Sequence, residues 1–184
     1  YDDISVTRRE SKNYNVSDDC TYLFNCSGTT QLSKGMSVFL TPYSEVRHYY
    51  FGYLDTIVIA ARDSLLAIET GAKLHLCHCS TKGVAIMMKM LKAEGVENVT
   101  AEVCPHHFIL TSDDIERDDP NYKMNPPLRT RKDVEALIEG LKEGYIQVIS
   151  TDHAPHTLKD KTGSMRTAAF GIVGIETSFA LSYT

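Results

Sequence analysis

Six of the seven histidines in this 184-residue chain lie between positions 75 and 156. They fall in or just after three short apolar stretches. Residues 74–79 carry His78 near their end. Residues 99–104 run into Pro105-His106-His107, and residues 146–150 run into Thr151-Asp152-His153-Ala154-Pro155-His156. Imidazole and carboxylate groups converging on one place suit zinc or a similar divalent ion. Such an ion can lower the pKa of water from about 15.7 to about 7. An aspartate beside it could also take up a proton and return it to a leaving amide nitrogen.

Each residue taken singly has a plainer reading. A histidine inside a strand, such as His78, is more often a hydrogen-bonded core residue. His106 and His107 could pack under Phe108, and Asp152 could cap a following helix. Cys77 and Cys79 read as small core residues, and Met87, Met88 and Met90 as helix packing. Asp113-Asp114 and Asp118-Asp119 read as solvated loop charges. The chemical reading gains its weight from coincidence, because three strands place such groups at the same topological position.

The elements that must do the positioning are legible from residue 55 onward. Val58, Ala61, Leu65 and Ile68 step by one helix face, and Gly71 follows as a stop. Val84, Met87, Met88 and Leu91 mark a second helix, ended by Gly95. Thr130 and Asp133 have capping-box spacing. Val134, Leu137, Ile138 and Leu141 form a third helical face, stopped at Gly144. The three apolar stretches between these helices have strand length and look apolar on both sides of the alternation. Helices alternating with strands predict right-handed crossovers and a parallel sheet. In a (β/α)8 barrel the C-terminal strand ends surround the active site. The predicted fold class is therefore α/β, a partial TIM-type (β/α)8 barrel with three strands and their helices. The chain is short for a complete barrel of about 250 residues.

Residues 1–53 read differently. They are rich in Ser, Thr, Asn and Tyr, and only one short strand, residues 21–24, is predicted there. The expected division is a divergent segment over 1–53 and a barrel portion over 54–184. Apolar residues make up 42% and charged residues 23%, ordinary values for a soluble globular chain. A formal charge of −5 argues against a nucleic-acid surface. No window has the roughly 18 apolar residues of a membrane span. The five cysteines are odd in number and form no Cys-x-x-Cys pair. That fits a reducing cytoplasm better than a disulfide framework.

Five segments together resemble the dihydroorotases. They are His-Leu-Cys-His-Cys-Ser-Thr-Lys (75–82), Thr-Ala-Glu-Val-Cys-Pro-His-His (100–107), Lys-Met-Asn-Pro-Pro-Leu-Arg (123–129), Ser-Thr-Asp-His-Ala-Pro-His (150–156) and Phe-Gly-Ile-Val-Gly-Ile-Glu-Thr (170–177). The resemblance implies a binuclear zinc amidohydrolase that interconverts dihydroorotate and N-carbamoyl-L-aspartate in pyrimidine synthesis. It implies that His78 and Asp152 are metal ligands and that Asp152 is also the catalytic proton carrier. Asn125 and His156, with the backbone of Phe170 and Gly171, would hold the substrate carboxylate. His106 and His107 would lie near the site without binding the metal, although their placement alone also favours His107 as a ligand.

The chain departs from the family pattern as well. The His-x-His of the first strand and the bridging ligand are absent, and Asn25 and Ser27 stand where a His and a Glu are expected. These gaps predict little activity for the chain alone. They raise a non-catalytic scaffold, associated with aspartate transcarbamoylase, as the alternative. A homodimer is the other expected partner state. Hydantoinases and allantoinases, which share the barrel and metal site, are a further alternative.

Overall fold

A computed structural model describes residues 21–25 and 47–183, with side-chain detail from Ile57 onward. Most of the segment 1–53, including Cys20, Cys26 and Ser27, lies outside the described residues. Four strands, β1 (Thr21–Asn25), β2 (Lys73–Cys77), β3 (Val99–Val103) and β4 (Val148–Ile149), form one sheet in the order β1-β2-β3-β4. All three pairings are parallel. The helices are α1 (Arg47–Thr70), α2 (Lys82–Ala93), α3 (Pro105–Ile109), α4 (Arg131–Lys142) and α5 (Ile175–Ser182). The alternation of helix and parallel strand predicted from residue 55 is thus present. The short strand predicted at 21–24 joins the same sheet, where Asn25 pairs with Cys77.

One face of the sheet is packed by helices. Leu74, Leu76, Val99, Ala101 and Val103 meet Ala60 and Ala67 of α1, Val84, Ala85 and Met88 of α2, and Leu137 of α4 in one buried cluster. These strand residues alternate, as a period of two requires. The intervening positions are His75, Cys77, Thr100 and Glu102, so β2 and β3 are not apolar on both sides as the sequence suggested. Their second face is polar because it carries hydrogen-bonded side chains toward the rim. β4 is also shorter than predicted. Its ladder is extended by Gln147 N–H donating to Ala101 O (3.1 Å) and Ser150 N–H donating to Val103 O (3.0 Å). Val148 and Ile149 are exposed because β4 is the edge of the sheet among the described residues.

The first helix also turns a different face inward. Val58 and Leu65 are exposed, while Ile59, Ala60, Ser64 and Ala67 are buried. Small residues at 60, 64 and 67 allow close approach to the sheet, which outweighs the larger apolar area of the alternative stripe. The stops behave as predicted: Gly71, Gly95 and Gly144 all adopt positive φ, the conformation that closes a helix most readily when Cβ is absent.

Asp133 links two helices. Its Oδ2 accepts from the Thr130 N–H (3.1 Å) and hydroxyl (2.6 Å), completing the predicted capping box. Its Oδ1 accepts from the Lys82 N–H at the start of α2 (2.9 Å). Hydrogen bonds to a buried carboxylate are each worth about 1.5–3 kcal/mol, but a cap lost to alanine costs about 1 kcal/mol. Asp133→Ala is expected to lower unfolding free energy by about 2–3 kcal/mol, measured by urea denaturation. A loss below 0.5 kcal/mol would mean that water replaces all three bonds.

Candidate metal centre

The rim is built where β2, β3 and β4 end. His78 directly follows β2, Cys104 directly follows β3, and Asp152 lies three residues after β4. His78 and Asp152 both have left-handed backbones, with φ of 53° and 44°. For residues other than glycine this costs on the order of 1–3 kcal/mol and persists only where the surroundings hold it. The turns bring His78 Nε2 to 3.6 Å from Asp152 Oδ1. One ligand atom each of His78, Cys104 and Asp152 lies within 4.8 Å of the others. Nδ1 of His78 is buried without a hydrogen-bond partner among the described residues. Nitrogen, sulfur and oxygen donors converging on three strand ends fit a divalent ion, although they supply only part of a closed coordination shell.

Burial holds the Asp152 carboxyl above the ordinary aspartate range; His78 opposes the shift and Glu102 adds to it. Glu102 itself lies on β3, 3.3 Å from His78 Nε2 through its Oε1. No role for Glu102 was read from the sequence, although an acidic residue inside an apolar strand is itself a signal. His106 and His107 are buried and neutral. Burial pushes His106 down to about 4, with His78 adding to the effect. Burial also drives His107 well below the usual histidine range. His107 Nε2 lies 2.8 Å from the Pro126 carbonyl, so His107 tethers the segment next to Asn125. Cys77 falls on the polar face beside His75 and Glu102, whereas Cys79 is in the core.

Of the other predicted site residues, His156, Phe170 and Gly171 gather on the loop side, while Asn125 is not brought into contact with them. His156 Nε2 lies 2.7 Å from the Phe170 carbonyl. Gly171 N–H donates to Lys123 O (3.0 Å). His156 and Gly171 help to line a cavity of about 510 Å³ with Tyr122, Lys161 and Ile172. His78, Asp152 and Asn125 are not among its lining residues, so the cavity does not enclose the metal-ligand cluster. Lys161 Nζ donates to the carbonyls of Lys123 (3.1 Å), Ala169 (3.1 Å) and Gly171 (2.9 Å), tying the 157–171 loop to the 123–125 segment. Lys123 Nζ lies 4.2 Å from the centre of the Phe170 ring. Gly171 has φ of 147°, and a Cβ there would strike the Ala154 carbonyl and come 2.8 Å from His156 Cδ2. Gly171→Ala is expected to cost about 2 kcal/mol and to weaken the His156–Phe170 contact. Thermal denaturation and the His156 ring resonances would report both, and an unshifted midpoint would contradict the strain.

Helix-backed parallel strands with candidate ligands on their C-terminal rim define a segment of an amidohydrolase barrel. Solved structures agree. An L-hydantoinase from Arthrobacter aurescens matches with a TM-score of 0.65 at 30% identity, over 71% of this chain and 30% of that one. A D-hydantoinase from a Thermus species gives 0.64 at 28% identity, over 71% and 30%. A dihydroorotase from Saccharomyces cerevisiae in complex with 5-fluoroorotic acid gives 0.62 at 19% identity, over 70% and 36%, a likeness of fold.

By sequence, the chain is homologous to a segment of the dihydroorotases. It is 48% identical over 162 residues to the enzyme of Lactobacillus acidophilus, covering 88% of this chain and 36% of that protein. It is 57% identical over 124 residues to that of Geobacillus thermodenitrificans, covering 67% and 29%. The chain thus spans about a third of the length of these curated relatives. No protein-family model matches it. No helix among the described residues is long and apolar enough to cross a membrane.

Proposed function

We propose that this chain forms the C-terminal rim of a zinc-dependent cyclic amidohydrolase site that interconverts dihydroorotate and N-carbamoyl-L-aspartate. The observation that carries this reading is the 3.6 Å approach of His78 Nε2 to Asp152 Oδ1 at the ends of two strands, in a chain homologous to dihydroorotases. His78 and Asp152 would hold a zinc ion. When bound, zinc supplies Lewis-acid polarisation and makes water more acidic. Asp152 accepts a proton at its carboxylate and passes it to the departing ring nitrogen, a task suited to a carboxyl raised above its ordinary range. Asn125 and His156, with the backbone of Phe170 and Gly171, orient the substrate carboxylate. Lys161 and the His107–Pro126 contact hold those segments in place.

The test is a graft in which residues 54–184 replace the corresponding segment of a curated relative. The graft should hydrolyse dihydroorotate with added zinc. A folded graft without activity would sink the reading.

One observation favours a second reading, a non-catalytic scaffold. The strand pairing sets Asn25, where the family resemblance leads one to expect histidine, opposite Cys77 and one residue short of His78. An active graft that also carries residues 21–25 of this chain would exclude that reading.

A further inference from the structure

Glu102 has no part in the chemistry above, yet it is the most connected side chain on the polar face of the sheet. It sits on β3 between Ala101 and Val103, which are both packed in the helix-side core. Its own carboxylate is buried on the opposite face. Oε1 accepts the His78 backbone N–H (3.3 Å) and lies 3.3 Å from His78 Nε2. Oε2 lies 3.2 Å from His75 Nε2. His75 Nδ1 in turn lies 2.7 Å from Thr100 Oγ1, and the Thr100 hydroxyl donates to the Leu74 carbonyl (3.3 Å). A chain of polar contacts therefore runs from the middle of β2 and β3 to the rim and ends on His78.

A buried carboxylate is costly unless its oxygens are bonded, and a sheet position flanked by core residues has no packing need for one. His78 needs exactly such a group nearby. Its left-handed backbone persists only where neighbours hold it, and Glu102 is the residue that accepts its N–H. The same carboxylate faces the ring that the proposed site uses. We propose that Glu102 is the positioning residue of His78, fixing both its turn and the orientation and tautomer of its imidazole. Glu102 Oε1 and Asp152 Oδ1 both face His78 Nε2, so Glu102 favours the Nε2–H tautomer and leaves Nδ1 as the unprotonated nitrogen. The effect on metal rests on His78 being a ligand; the effect on the ring does not.

The test compares the chain with its Glu102→Gln and Glu102→Ala variants. Ring-nitrogen chemical shifts of His75 and His78 are measured without metal, and Zn2+ affinity by competition with a chromophoric chelator. The unsubstituted chain should show one tautomer at His78. Glu102→Ala should give averaged shifts, a mixture of tautomers. Glu102→Gln swaps one acceptor oxygen for a donor, so either His75 or His78 should change tautomer. Unchanged His78 shifts in Glu102→Ala would overturn the proposal, whatever happens at His75 or to Zn2+ binding. If the unsubstituted chain takes no Zn2+ but its His78 tautomer depends on Glu102, positioning stands and the metal reading fails. If Zn2+ binds and neither affinity nor shifts respond, the metal reading stands and positioning fails. Should Glu102→Ala not fold, Glu102→Leu, which keeps bulk and offers no acceptor, decides by the same His78 shifts.

Discussion

Lowering the pH from 7 to 4 is expected to destabilise the chain through two buried histidines. His106 and His107 are held neutral in the fold, His106 down to about 4 and His107 well below the ordinary value of 6.5. In the unfolded chain both take up protons below about pH 6.5. Between pH 6.5 and 4 the unfolded state therefore binds more protons, and stability falls as pH falls. For His106 alone the loss reaches about 3 kcal/mol at the bottom of that window, and His107 adds to it. Asp152 acts in the opposite direction, since its raised carboxyl favours the fold as it protonates, but it is only half-buried. With marginal stabilities of about 5–15 kcal/mol typical of domains, the loss is large. Urea titrations from pH 7 to 4 would measure it. A flat profile would show that the two imidazoles reach solvent or share a proton acceptor in solution.

The largest functional effect is expected at Asp152. In the active graft described above, Asp152→Asn keeps the shape of the side chain while removing its charge and its capacity to carry a proton. General acid–base catalysis is worth about 10²–10⁴-fold, so kcat should fall by at least about that factor. Zinc content should fall as well, because a neutral amide is a poor replacement for a carboxylate ligand. Measuring kcat beside metal content separates the two roles. A rate within tenfold of the unsubstituted graft would remove Asp152 from the proton path. Full zinc content with a collapsed rate would leave it as proton carrier but not as ligand.

Much of the site was legible because its residues are close in sequence to strand ends. Leu74, Leu76, Val99, Ala101 and Val103 declare strands by composition. Gly71, Gly95 and Gly144 mark helix stops, and Thr130 with Asp133 marks a helix start. Parallel connection then sends every strand's C-terminal end to one rim, so the meeting of His78 with Asp152 follows from topology. The family resemblance rested on those same segments, and the homologous relatives match it.

What remained hidden depends on contacts between residues distant in sequence. Periodicity shows which residues of α1 share a face, but not that small residues at 60, 64 and 67 would win over Val58 and Leu65 for close approach to the sheet. Alternation shows that Glu102 and His75 lie on one side of the sheet, but not that the pleat would place Glu102 within bonding distance of both His75 and His78. Asp133 announced its own helix cap, yet its second bond to Lys82, fifty-one positions away, exists only because α2 and α4 pack together. The order of types along the chain thus determined the elements and the rim on which chemistry falls. Packing alone decided which carboxylate holds which imidazole, because that choice is made by distances that local sequence does not encode.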